Sequence, residues 1–142
     1  MTTAINVPKA AKTYLEPGQA STCKAGAAIE GRRFVKVTTG GVGNHPVVIH
    51  ATAGGGAYGV SHFSVGSGKE LSVLRQGTFE VEAGENLAAG DEVSVGANGV
   101  AVKATAGSQL TTGTYAYTAP TRVVGVCTAA TTSGAGAPIT LY

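Results

Sequence analysis

The sequence has no tryptophan, one methionine and two cysteines, and only 13% of its 142 residues are charged. Each scarcity excludes something. With aromatics at 6%, a core must be assembled from small side chains that each bury little area. With a net charge of +2, total charge does not argue for a nucleic-acid partner. No apolar run approaches the roughly 18 residues of a membrane-crossing helix. Met1-Thr-Thr-Ala-Ile-Asn6 lacks the charged-then-apolar layout of a signal peptide, so synthesis and retention in the cytosol of the producing cell are expected. Cys23 and Cys127 lie far apart without C-x-x-C spacing, so alone they build neither a zinc site nor a redox pair. Two small buried thiols in a reducing compartment are expected, with a single disulfide tying the N-terminal segment to the body as the alternative.

What the chain does have is glycine, 22 of them, and an apolar fraction of 43% that is mostly alanine and valine. That is too apolar for a disordered tract, and the length suits one domain. At roughly 25 cal/mol per Å² of apolar surface, a core of Ala and Val is thin. Burial against a second chain offsets that deficit, so an oligomer or a docked subunit is expected. Charge is also segregated. Lys9, Lys12, Lys24, Arg32, Arg33 and Lys36 crowd the first quarter, whereas the middle carries Glu70, Glu80, Glu82, Glu85, Asp91 and Glu92. Solvated mixed faces account for this, and so does head-to-tail complementarity between a basic arm and a neighbour's acidic face.

Residues 1–26 read as an extended N-terminal arm, since Pro8, Pro17 and scattered lysines give no period-2 signal. Pro8–Leu15 has room for one or two helical turns, which need a partner to be stable. Residues 27–142 read as a single β domain. Short β-branched runs at 33–37, 46–50, 58–65, 71–75 and 78–82 are separated by Gly or Asn. In Thr78–Glu82, Phe79 and Val81 face one way and Glu80 and Glu82 the other, as a half-buried strand requires. Val93 and Val95 precede Asn98-Gly99, which favours the positive φ values of a type I′ turn, and Val100 and Val102 follow. Residues 104–114 and 131–137 read as surface loops. The two halves share an order: a turn with Gly31 or Gly90, a strand, Gly-Val at 59–60 or 125–126, then a glycine loop into an apolar final strand. The fold class is all-β, a small barrel or sandwich of short antiparallel strands, with two related units closing one barrel as a further expectation.

Chemical motifs do not survive inspection. Gly54-Gly-Gly-Ala-Tyr-Gly59 matches a dinucleotide fingerprint by letter, but a strand rather than a helix follows, so it reads as a loop. Gly66-Ser-Gly-Lys69 lacks the upstream glycine and the hydroxyl residue of a phosphate loop and reads as a hairpin turn. His45, His50 and His62 have no diagnostic metal spacing and read as structural. Ser61 beside His62 is not evidence of catalysis, because neighbouring strand residues point to opposite faces. No enzyme activity, cofactor or metal is expected.

From Leu74-Arg-Gln-Gly-Thr-Phe-Glu-Val81 onward, the Gly-Thr-Phe-Glu-Val strand, Ala89-Gly-Asp-Glu-Val93, Val124-Gly-Val126 and Ile139-Thr-Leu141 are similar to tailed-phage capsid decoration (cement) proteins of the small β-barrel type. The resemblance covers about half the chain well and 29–73 loosely, and the arm has no counterpart. It implies a virion protein on the outer capsid surface, made in the host cytoplasm. It would bind the major capsid protein as a homotrimer at or near three-fold positions, without nucleic-acid or membrane partners, and stabilise the shell against packaged DNA. On this reading the arm reaches across capsid subunits, with Lys9, Lys12, Tyr14, Leu15, Lys24, Arg32 and Arg33 as the capsid or subunit interface. The competing reading is a carbohydrate-binding or adhesive module, such as a head-fibre or surface-attachment domain. Tyr14, Tyr58, Tyr115, Tyr117 and Tyr142 would then stack on sugars.

Overall fold

The computed structural model describes residues 19–38, 45–106, 108–109, 117–118 and 120–142. Strands β1 (Gln19–Ala25), β2 (Phe34–Val37), β3 (Val47–His50), β4 (Gly59–Ser61) and β5 (Glu70–Gln76) close into a barrel in the order β1-β3-β2-β4-β5. After Gly77, whose φ of 124° suits glycine, β6 (Thr78–Glu82) begins the second unit. There follow β7 (Glu92–Val95), β8 (Ala101–Lys103), the paired two-residue strands β9 (Ser108–Gln109) and β10 (Tyr117–Thr118), β11 (Gly125–Cys127) and β12 (Gly136–Leu141). The second sheet runs β6-β12-β11-β7-β8. A parallel bridge between Ala83 and Ala101 joins its two edges.

Apart from the inserted β9–β10 pair, the second unit repeats the first strand for strand. The first-to-last pairing β1–β5 corresponds to β6–β12, β4–β5 to β11–β12, β2–β4 to β7–β11, and β2–β3 to β7–β8, all antiparallel. The parallel β1–β3 seam corresponds to the Ala83–Ala101 bridge. Equivalence extends to single hydrogen bonds. Ile29 bridges Val65 as Leu87 bridges Thr131. The Gly68 N–H donates to Ala25 O and the Gly134 N–H to Ala83 O, each at 2.7 Å and each from a positive-φ glycine. Two related β units are therefore present, as two barrels rather than two halves of one.

Barrel interiors follow the repeat. Cys23, Ala25, Val35, Val48, Leu71 and Val73 fill the first, and Val81, Ala83, Val93, Ala101, Ala137 and Ile139 hold the matching positions of the second. Gly59 and Gly125 are where the small-residue core shows its reason. A Cβ on Gly59 would lie 2.5 Å from Leu74 O, and one on Gly125 would lie 2.5 Å from Thr140 O. The neighbouring strand occupies that space.

Three readings change. Gln19–Ala25, assigned to the arm, is a barrel strand hydrogen-bonded along its length to β5, so an arm can extend only over residues before it. Its inward residues include Cys23 and Ala25, too small to print an apolar alternation. The strands are not all antiparallel, because β1 and β3 run parallel. In β8 it is Ala101 that faces inward, while Val100 and Val102 pack over Gly84 and Gly96. Asn98 and Gly99 take the positive φ expected of them, 54° and 77°. The loop, however, is a three-residue 3-10 turn, Ala97–Gly99, with the Gly96 N–H donating to Val100 O at 2.8 Å, and not a two-residue type I′ turn. Gly54–Ala57 lies in the β3–β4 connection, and Gly66–Lys69 makes the turn into β5.

Candidate interaction surface

The outer face of barrel 1 is where sequence chemistry concentrates. Phe34 on β2, Val60 on β4 and Leu74 on β5 point away from their own barrel, since their neighbours Val35 and Val73 point in. They join the core of barrel 2 as one apolar cluster, with Phe34 and Val60 fully buried. The Asn98-Gly99 turn presses on β2 so closely that a Cβ on Gly99 would collide with Phe34 O. The Gly54 N–H donates to Val95 O at 2.9 Å, and Arg33 Nη1 donates to Asn98 O at 3.0 Å.

An ion cluster borders this junction. Arg32 pairs with Glu80 at 2.8 Å and reaches Glu82 at 3.8 Å, and Arg33 pairs with Glu82 at 2.6 Å and Glu30 at 2.7 Å. Glu80 and Glu82 are the outward residues of β6, delivered by strand alternation to the arginines before β2. The Glu82 N–H donates to Arg32 O at 2.8 Å, which fixes the register. Arg32 holds φ at 63°, uncommon for a side chain with a Cβ, and the matching position in barrel 2 is Gly90 at 90°. The two carboxylates hold Arg32 where glycine would be the easier choice. Both arginines are largely buried, at 19% and 13% side-chain exposure. Glu82→Gln keeps the shape and removes the charge that both guanidiniums face. It should lower stability by about 2 kcal/mol, between the values for exposed and buried pairs. Glu30→Gln, at a carboxylate 49% exposed, should cost less in the same denaturant titration.

The proposed interface residues thus divide. Arg32 and Arg33 bind within the chain. Lys24 sits half-buried on β1. Lys9, Lys12, Tyr14 and Leu15 lie outside the described residues, as does Tyr115; the side chain of Tyr117 is likewise not described. Tyr58 shares a hydrogen bond with Ser21 Oγ at 3.3 Å, and Arg75 stacks 4.0 Å above its ring. Tyr142 is 76% exposed, beside a shallow groove edged by Ser21 and Arg75. Cys23 and Cys127 are free, buried and in different barrels, and burial pushes the Cys23 thiol up.

Two of the three histidines have structural partners, while His45 is exposed. His62 stacks on Phe63 at 3.9 Å. His50 Nε2 accepts the Glu30 N–H at 3.0 Å, a bond only the unprotonated ring can accept. Burial, helped by the Arg33 charge and opposed by Glu30, holds His50 below its ordinary value of 6.5. Burial lowers His62 as well. A depressed folded-state value means this support is present above the unfolded pKa and is lost as pH falls through the folded one. Urea midpoints should therefore drop as pH falls below about 6.5. His50→Gln offers a non-titrating acceptor to the same N–H and should flatten part of that drop, leaving the His62 share.

Among the described residues no three His, Cys, Asp or Glu side chains gather as metal ligands. Fold and site together define a class, the all-β tandem barrel with an ion-paired junction. No protein-family model matches the chain, and no curated protein matches its sequence. Among solved structures it is similar to the crystal structure of the head fiber gp8.5 N base in bacteriophage phi29. The TM-score is 0.65 at 17% identity, covering 88% of this chain and 94% of that one. At that identity the likeness is one of fold.

Proposed function

We propose that this chain is a structural protein of a tailed-phage virion that attaches to the outside of the capsid. The observation that carries this reading is the tandem-barrel fold, shared over nearly its whole length with the base of a phage head fibre. The sequence motifs in 74–142 support the same class of protein from a separate direction. The chain acts as a trimer on the major capsid protein. Simultaneous engagement of several subunits turns modest contacts into high avidity. Preferential binding to the assembled shell stabilises it by linkage. No reaction is part of this role. The alternative of an adhesive head-fibre or surface-attachment module draws support from the same fold neighbour. Its glycan-binding form has little, since Tyr142 is the one strongly exposed large aromatic among the described residues.

The test is to mix the purified chain with capsids of its own phage that lack it, and to image them by cryo-electron microscopy. Ordered density at or near three-fold positions is expected, and bare shells would overturn the reading. Removal of residues 2–18 stops short of β1 and should leave both barrels folded with weakened shell binding. Unchanged occupancy would show that the segment before β1 is not the anchor.

A further inference from the structure

Duplication gives every face used in the internal junction a counterpart that the junction leaves unused. Barrel 1 contributes Arg33, Phe34, Val60 and Leu74. By register, the same positions in barrel 2 are Asp91, Glu92, Val126 and Thr140. Barrel 2 contributes Glu80, Glu82 and Val95. In barrel 1 those positions are Thr22, Lys24 and Val37. Of these counterparts Glu92 is exposed, Val126 is half-buried where Val60 is fully buried, and Val37 is 45% exposed. Asp91 pairs with Lys103 of its own barrel at 3.7 Å, much as Arg33 pairs with Glu30 of its own. Among the described residues Lys24 and Glu92 make no ion pair.

Charge is reversed between the two sets. Inside the chain, Arg33 of barrel 1 meets Glu82 of barrel 2. In the unused set the matching residues are Asp91 and Lys24, again opposite in sign but with the signs exchanged. We propose that the chain self-associates head to tail, with the Asp91–Glu92 face of one copy docking on the Lys24–Val37 face of the next in the geometry of the internal junction. Asp91 then faces Lys24 across copies as Arg33 faces Glu82 within one.

The reversal also sets specificity. A barrel 1 face carrying Arg32 and Arg33 is repelled by another copy's Lys24 face. A barrel 2 face carrying Asp91 and Glu92 is repelled by Glu80 and Glu82. Wrong barrel pairings therefore bring these like charges together, whereas the alternating arrangement sets Asp91 and Glu92 against Lys24. Glu70 beside Lys24 and Lys103 beside Asp91 temper the attraction. With Glu92 in place of Phe34 and Thr140 in place of Leu74, the contact between copies is wetter and weaker than the one within. A head-to-tail contact of this kind closes into a ring when its rotation permits and otherwise extends as a filament. In a trimer, six barrels would alternate around one ring.

Light scattering on the full chain over a concentration series tests this without any capsid, so its failure is separate from failure of the shell-binding reading. The wild type should form a defined oligomer. Lys24→Glu should weaken association by about tenfold or more. Asp91→Asn should weaken it less, because it neutralises a charge where Lys24→Glu reverses one. Its amide oxygen keeps the fold by still accepting the Ala88 N–H that Asp91 holds at 2.8 Å. A chain carrying both K24D and D91K should recover assembly. For contact geometry, Lys24→Cys and Asp91→Cys chains mixed under oxidation should cross-link to each other and neither to itself. Circular dichroism checks that each variant is folded. A wild type that stays monomeric overturns the proposal. So does an oligomer indifferent to Lys24→Glu and Asp91→Asn, or one in which the mixed cysteines fail to cross-link.

Discussion

Phe34→Ala should lower stability by about 3–5 kcal/mol, the range for removing a fully buried aromatic side chain. The ring is fully buried although it lies outside its own barrel, because it fills the junction. The loss has two parts: the transfer term for the ring, and a cavity that the junction can close only by moving the Asn98-Gly99 turn toward β2. That turn already lies against the Phe34 backbone, so little collapse is available. Denaturation should also become less cooperative, as the two barrels lose their shared core while each keeps its own interior. Equilibrium unfolding followed by circular dichroism and by one tyrosine probe per barrel would reveal this. Tyr58 reports on barrel 1, and the exposed Tyr142 follows β12 of barrel 2. Coincident transitions with a loss under about 1 kcal/mol would contradict the junction's role.

Gly125→Ala should cost about 3 kcal/mol, at the upper end for overpacking. The added methyl would meet Thr140 O at 2.5 Å and Ile139 Cγ2 at 2.8 Å. The first of these is backbone in a paired strand, so β11 must move away from β12 and weaken the ladder from Gly125 to Cys127. Gly59→Ala is the matched control, with Leu74 O and Val73 Cγ1 in the same places. Equal losses, measured by urea titration, would show that the two barrels impose the same constraint. Glycine is needed at both positions for space and not for an unusual φ, since neither has a positive one.

Much of this was legible beforehand. Phe34–Val37, Thr78–Glu82 and the Asn98-Gly99 hairpin carry their patterns on large or β-branched residues, and local turn chemistry fixed their ends. The Gly-Val pairs at 59–60 and 125–126 marked the repeat because the barrel permits nothing larger than glycine there. β1 was not legible, as its inward positions include cysteine and alanine and its partners lie far along the chain. The parallel β1–β3 seam and its single-bridge copy in barrel 2 leave no local trace at all. Charge segregation was visible, but its destination was not. Arg32 and Arg33 read as part of a capsid or subunit interface until the fold brought Glu80 and Glu82 of the same chain onto them. A left-handed arginine offers no sequence signal, because only the surrounding carboxylates make that conformation tolerable.

The order in which the barrels occur along the chain matters for synthesis. Barrel 1 is continuous in sequence and complete at Gln76, with only Gly77 between it and the start of barrel 2 at Thr78. Emerging from the ribosome it can close on its own, as domains generally do when made N-terminus first. Until the rest of the chain follows, however, Phe34, Val60 and Leu74 form a bare apolar patch on its outside. Arg32 and Arg33 flank that patch, and their charges oppose the meeting of two half-made chains. The residues that later lock the barrels together therefore act first as a guard against premature aggregation.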